Sequence, residues 1–429
     1  FDLDCPWKSH YATHADLVDY IDHIVDKYEI RPAIERGAAV THAIWDETIA
    51  RWRLSIEHGD GRNEQFESDF VISAAGLFST PKLPDIPGIE GFGGKIWHTT
   101  AWDHDYDYTG KRVAVIGTGS TGSQLVRGVA AKAQSLTIYQ RTPNWVKPVP
   151  GYRDAVTPEL RWLLDHMPAF RNWYTFSHMV TQMEMEGLPF IDAEWQASGG
   201  RINRFNDALR EELTQYIREK CGDDEELFGK LVPDYAPLSR RLVVDNDWYD
   251  TLRLDNVSLN ADGIARFTET GIVTQDGRAE DYDLVVLSAG FDVDRYLFPV
   301  DYTGRGGQTL SNLWSSDGAR AHLTMYLPEY PNFAIMYGPN AGTTGGSFHS
   351  WVEVLSRHIV TLIAETIERG ATSFEVREEA YRTYNEELDR GLETTLLIPE
   401  KAGGGYYLNG HGRPGVSSPW RLDAYYSYI

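Results

Sequence analysis

Leu17, Tyr20, Ile21, Ile24, Val25 and Tyr28 fall on one stripe of a 3.6-residue period, which predicts an amphipathic helix over 14 to 30. Thr13 and Asp16 have the spacing of a capping box, with Asp in place of Glu. The period then shifts to two. Trp52, Leu54 and Ile56 alternate with polar residues, as on a half-buried strand, and "DGRN" at 60 to 63 is a turn. "DFVISAAG" (69 to 76) reads as a buried strand ending in a glycine, and "STPKLPDIPG" (79 to 88) as a proline-rich connector. Thr157 and Pro158 suit the N-cap and first position of a helix. From there to about 230 the pattern is mostly helical, with Phe205, Leu209, Leu213 and Ile217 on one face. "GIVTQDGRAEDYDLVVLSAG" (271 to 290) predicts a hairpin through Asp276-Gly277 that feeds a buried strand. "YPNFAIMYGPN" (330 to 340) predicts a strand and a Gly-Pro turn, followed by a helix near 347 to 368.

The two buried strands end alike, in "ISAAG" and "LSAG", and flank a separate strand–helix unit. This arrangement predicts an α/β chain in which one domain is interrupted by another. The chain leaves the first domain near residue 80 and returns near 290.

The interrupting unit carries the clearest chemistry. Val113 to Ile116 is a short apolar run, followed by Gly117, Thr118, Gly119, Ser120, Thr121 and Gly122, a G-x-G-x-x-G at the start of a helix. The first glycine permits a tight turn, the second lets the backbone approach a pyrophosphate, and the third lets helix pack on strand. A second strand, "SLTIY" (135 to 139), completes a dinucleotide-binding βαβ. That strand is followed by Arg141 and Thr142, with no acidic residue to hold a ribose 2′-hydroxyl. A guanidinium there suits a 2′-phosphate, so NADP is expected rather than NAD, although a solvated surface arginine would look the same.

Charge narrows the partners. The 429 residues carry a formal charge of −23, which disfavours nucleic acid and anionic membranes while leaving room for a local basic pocket. Two cysteines, Cys5 and Cys221, make neither a disulfide framework nor a metal cluster, so no metal is expected and a reducing cytoplasm fits. No apolar run reaches the ~20 residues of a membrane span, and no signal-peptide pattern opens the chain.

Directly before the fingerprint, "FGGKIWHTTAWD" (92 to 103) places Phe92, Gly94, His98 and Trp102 in F-x-G-x-x-x-H-x-x-x-W. This pattern resembles that of Baeyer–Villiger monooxygenases, within the flavin-containing monooxygenase group. The similarity extends through "ATHADLVDYI", "SAAGLFSTPKLPDIPG", "GKRVAVIGTGSTG", "YQRTPNW", "SRRLVVDNDWY", "LSAGFDVD", "YGPN" and "SPWRLDAYY". Asp103, where many members have Pro, looks most like the hydroxyacetophenone monooxygenase branch. The resemblance implies two Rossmann-like domains, with an NADP domain inserted into an FAD domain. On that template, 1–85 is part of the FAD domain, 86–288 the NADP domain with a helical insertion about 155–235, and 289–429 the FAD-domain return. The fingerprint here matches the second of the family's two. The first βαβ unit has no counterpart, so the chain is expected to be N-terminally truncated.

In the family NADPH reduces FAD, oxygen adds to the reduced flavin, and the peroxyflavin attacks a ketone to give an ester or lactone. A peroxide anion needs a fixed cation nearby. "PLSRRLVVD" (237 to 245) matches the family's Lys-Arg pair, with Arg241 as the catalytic arginine and Arg240 in the lysine place beside the 2′-phosphate. His98 is implied to couple domain motion to the cofactor steps, although a loop histidine bonded to backbone fits equally. Gly76 and Gly290 match crossings near the flavin, and Gly338 and Asn340 a late FAD-contacting turn. Tyr406 stands where the family has a tryptophan touching NADP or substrate. Three other readings stay open: a flavin oxygenase acting on sulfur or nitrogen, a plain NADP dehydrogenase, and an inactive NADP-binding remnant.

Overall fold

The computed structural model describes residues 7–184, 187–293, 295–342, 347–397 and 407–429. The chain forms two compact units: Phe1–Ser79 with Arg153–Ile191 and Val293–Ile429, and Thr80–Tyr152 with Asp192–Asp292.

The second unit is built on a five-stranded, all-parallel sheet. Its strands lie in the order Val257–Asn260, Ser135–Tyr139, Arg112–Ile116, Leu284–Leu287, Lys95–His98. The sequence of the inner strands explains their place. Val113, Ala114, Val115 and all of Leu284–Leu287 are buried, the continuous apolar run of a strand covered on both faces. The helix Ser120–Ala130 follows the fingerprint and buries Val126, Val129 and Ala130. Asp283 ties two neighbouring strands at their base. Its carboxylate accepts the Arg112 backbone N–H at 2.8 Å and two guanidinium bonds at 3.1 and 3.3 Å, which hold it below its ordinary pKa. The hairpin turns between Gly271–Thr274 and Ala279–Asp281, at the expected Asp276-Gly277.

Leu209, Leu213 and Ile217 of the helix Arg204–Cys221 are buried, but Phe205 is 58% exposed. Asn203 caps this helix by accepting the N–H groups of Phe205 and Asn206. Asn206 faces inward and donates to the Pro237 carbonyl, while Phe205 lies outside under the Arg204 guanidinium.

The first unit holds a four-stranded sheet in the order Asp301–Thr303, Ala38–Asp46, Arg51–His58, Asn63–Ser68. Trp52 is fully buried there among Trp45, Tyr330 and Phe333, and its indole N–H donates to the Pro331 carbonyl. A second, two-stranded sheet pairs Val71–Ser73 in parallel with Phe333–Ile335. Both halves of the capping box form at Thr13 and Asp16. The first helix stops at Lys27, short of the apolar period, because Glu29 turns into the left-handed region (φ 54°).

The helices within 155–235 divide between the units. Pro158–His166 and Pro168–Glu184 belong to the first unit, whereas Ala193–Ala197, Arg204–Cys221 and Glu225–Leu231 belong to the second. Backbone pairing fixes the split: Ala155 bridges Ser9, and Phe190 bridges Thr395, so both ends of 153–191 are held by first-unit chain. Among the described residues no helix is long and apolar enough to cross a membrane.

Candidate functional site

The fingerprint loop shows why each glycine is needed. Gly117 has φ +107°, and a Cβ there would lie 2.3 Å from the Ser288 carbonyl oxygen. A Cβ on Gly122 would lie 2.2 Å from the Gly117 carbonyl oxygen, so the helix sits directly on the turn that precedes it. Gly119 differs. Nothing lies within 4 Å of a Cβ placed on it, and it is the N-cap of the Ser120–Ala130 helix with no side-chain cap bond. Gly119, Ser120 and Thr121 are exposed, and no acidic residue occupies the first turn. The positive end of the helix dipole and its outward N–H groups thus face open space, the donor set that a pyrophosphate fits.

The loop is braced from behind. Thr118 is buried, and its carbonyl accepts the Ser123 hydroxyl at 3.0 Å and the Asn144 amide at 2.8 Å. The Thr118 hydroxyl points to the Thr142 carbonyl, 3.5 Å away. Thr118 and Thr142 therefore act through the loop's shape. Asn144, which sequence reasoning passed over inside "YQRTPNW", joins the fingerprint to the loop carrying Arg141. Its signal was slight: one polar residue three positions beyond the candidate arginine.

The second basic segment is held against that loop. The Tyr235 hydroxyl donates to the Pro143 carbonyl at 2.9 Å, and the Trp145 indole N–H donates to the Tyr235 carbonyl at 2.9 Å. Val146–Lys147 pairs in parallel with Val243–Val244. Arg240 is half-buried, with its guanidinium 5.0 Å from the Tyr235 ring centroid. Arg141 and Arg241 are exposed. Leu238, two residues before Arg240, takes φ +68°, a strained conformation for a branched side chain. The basic segment is thus anchored to the strand-end loop by four backbone and side-chain links.

His98 closes the edge strand and is buried. Its Nδ1 accepts the Thr100 backbone N–H at 3.2 Å, so in the neutral ring the proton sits on Nε2, which donates to the Gly290 carbonyl at 3.1 Å. The same carbonyl accepts the Lys82 N–H at 2.9 Å, and the Asp292 N–H donates to Thr80. His98 therefore clasps two antiparallel passages, 80–82 and 290–292. Both ring nitrogens are engaged. Gly290 (φ +82°) supplies the left-handed turn that this passage needs. Trp102 packs edge-on against Trp97 and Tyr108.

In the first unit, Gly76 follows the Val71–Ser73 strand with φ +70° and open space around a would-be Cβ. The Gly338–Asn340 turn is closed. A Cβ on Gly338 would lie 2.3 Å from the Thr324 carbonyl oxygen. The Asn340 amide donates to the Pro414 and Ser417 carbonyls, its Oδ1 accepts from Arg413 at 2.9 Å, and its backbone N–H donates to Gly415. The Asn340 side chain thus holds the 413–417 segment. Tyr406 lies outside the described residues.

A model of flavin-binding monooxygenase-like proteins matches residues 4–152. A monooxygenase of Sinorhizobium fredii is 29% identical over 425 residues, and the chain spans 64% of its length. The solved structure of an oxidized steroid monooxygenase bound to NADP superposes with a TM-score of 0.80 at 27% identity, over 100% of this chain and 85% of that one. The cyclohexanone 1,2-monooxygenase of an Acinetobacter species is 30% identical over 420 residues, covering 91% of this chain and 75% of the enzyme. With that identity carried across three quarters of a known enzyme, the chain belongs to the flavin-binding monooxygenase family.

Proposed function

We propose that the chain is the NADP-binding part, together with a portion of the FAD-binding part, of an NADPH- and O2-dependent Baeyer–Villiger monooxygenase acting on a small ketone. The observation that carries this reading is the open helix N-terminus at Gly119–Thr121, with the Arg141 loop and the Arg240 segment tied together beside it. The fingerprint N–H groups would take the pyrophosphate, and Arg141 and Arg240 the 2′-phosphate that distinguishes NADP. FAD, when bound, supplies the hydride acceptor and the oxygen-activating chemistry. Arg241, exposed on the segment that Tyr235 and Val243 anchor, is the cation offered to developing negative charge. His98 keeps Gly290 and its passage in place while the cofactors act. Gly76, with open space beside it, is the first-unit position where flavin would approach backbone. Asp103 beside Trp102 supports the hydroxyacetophenone branch as the subtype.

The test is a visible absorption spectrum of the purified chain with FAD, before and after NADPH, followed by product analysis with cyclohexanone, 4-hydroxyacetophenone and a thioether. Flavin bands that stay with the protein, bleach with NADPH and give lactone or ester support the reading. Sulfoxide with no ester would move the chain to heteroatom chemistry. NADPH binding with no retained flavin would restrict the proposal to the nucleotide site.

A further inference from the structure

The carbonyl of Thr118, inside the fingerprint turn, accepts two side chains. The Ser123 hydroxyl reaches it from the helix at 3.0 Å, and the Asn144 amide reaches it from the strand-end loop at 2.8 Å. Thr118 is buried, whereas Gly119, next along the chain, is exposed. The peptide bond between them is trans, so its C=O and N–H point in opposite directions. Drawing the Thr118 carbonyl inward therefore aims the Gly119 N–H outward, to the side of the helix N-terminus that an anion approaches.

Asn144 does more than Ser123 because of where it stands. It lies three residues beyond Arg141, on the loop that offers a guanidinium to a 2′-phosphate. The Thr118 hydroxyl reaches the same loop at the Thr142 carbonyl. The other end of the amide meets the second basic segment. Asn144 Oδ1 accepts the Tyr235 hydroxyl at 3.5 Å, and that hydroxyl also donates to the Pro143 carbonyl at 2.9 Å. The Tyr235 ring centroid in turn lies 5.0 Å from the Arg240 guanidinium. One half-buried amide thus joins the Gly119 donor, the Arg141 loop and the platform under Arg240. The place suits an amide, which donates to a carbonyl on one side and accepts a hydroxyl on the other. An aspartate would set oxygen against the Thr118 carbonyl. The spacing matters to the ligand. A second phosphate contact adds affinity only when the first contact already presents that phosphate to a fixed cation.

We propose that Asn144 is a positioning residue for nucleotide choice. It acts through Thr118 and Tyr235, not by touching the nucleotide, and it fixes the pyrophosphate donors relative to Arg141 and Arg240 so that NADP is preferred over NAD. The inference rests on the reading of the fingerprint as an NADP site.

The experiment is a set of calorimetric titrations with NADP+ and NAD+ on the full chain, Asn144→Ala, Ser123→Ala, Arg141→Ala and the Asn144→Ala/Arg141→Ala double variant, with the melting temperature of each. Ser123→Ala removes a bond to the same carbonyl without reaching the Arg141 loop, and it should weaken both nucleotides alike, about threefold. Asn144→Ala should weaken NADP+ about twentyfold and NAD+ about threefold, so the preference falls about sixfold. Arg141→Ala should cost less than about twofold in preference once Asn144 is gone, against about tenfold in the parent, because the two act through one arrangement. Tyr235→Phe, a second variant, keeps the ring under Arg240 and removes the hydroxyl, and it should lower the preference about threefold. Equal losses of NADP+ and NAD+ in Asn144→Ala, or the same cost of Arg141→Ala in both backgrounds, would overturn this inference and leave the nucleotide reading standing. No binding of NADP+ by the parent chain would overturn both.

Discussion

Two turns of this chain, Gly117–Gly122 in the second unit and Gly338–Asn340 in the first, pack a glycine in the same way and dispose their polar groups differently. Both contain a glycine whose Cβ would strike a carbonyl oxygen, at 2.3 Å for Gly117 and 2.3 Å for Gly338. In the second unit that close packing leaves donors pointing outward, because Gly119 adds no cap and no side chain. In the first unit the donors are turned inward, and every polar atom of the Asn340 side chain is bonded to the 413–417 segment. The same close packing of glycine on a carbonyl thus leaves backbone donors free in one turn and surrounds a fully bonded side chain in the other.

The largest expected effect breaks the first turn. Gly122→Val places carbon against the Gly117 carbonyl, with no flexible neighbour to yield, and should destabilise the second unit by about 4 kcal/mol and abolish NADP binding. Thermal unfolding and nucleotide titration read both. The matching change in the first unit is Arg413→Ala, which strands Asn340 Oδ1 and takes one donor from Asp389, which Arg320 still holds through two bonds. Asp389 is 40% exposed, so the loss should be about 2 kcal/mol and not the 3–5 of a fully buried pair. Urea denaturation should show it, with NADP affinity intact.

Smaller effects sharpen the contrast. Arg141→Ala should reduce the preference for NADP over NAD about tenfold without altering stability, as competitive titrations with the two nucleotides would show. The Asp283–Arg112 tie should appear as a pH dependence. The Asp283 pKa is lowered by the fold, so its stabilisation is full above the unfolded value near ~4 and is lost as pH falls through the folded value. Asp283→Asn should flatten the acid limb of the stability profile, measured by chemical denaturation between neutral pH and pH ~3.

Much of the second unit was legible in the sequence because its signals are local. The apolar run Val113–Ile116, the glycine spacing and the Asp276-Gly277 hairpin each state their own conformation. Thr13 with Asp16, and Thr157 with Pro158, gave helix starts for the same reason. What stayed hidden depends on distant partners. Phe205 follows the apolar period yet faces solvent, because four-residue steps drift about 40° each and carry it to the edge of the Asn206–Leu209–Leu213–Ile217 face. The membership of 153–191 in the first unit depends on pairings with residues 9 and 395. The engagement of Asn340 depends on a segment more than seventy residues away. The roles of His98 and Arg240 were read through resemblance, whereas the Nε2–H tautomer of His98 and the Tyr235 platform under Arg240 required coordinates.

Titrating NADP+ into the chain and into Gly119→Ala shows whether the Gly119–Thr121 donors form an NADP pyrophosphate site. The substitution meets no atom within 4 Å, and φ −66° suits alanine, so the fold should not change. The account predicts one-to-one binding to the parent chain, preference over NAD+, and about a hundredfold loss in the variant at an unchanged melting temperature. Equal affinity in the two proteins, or no binding to either, would contradict it.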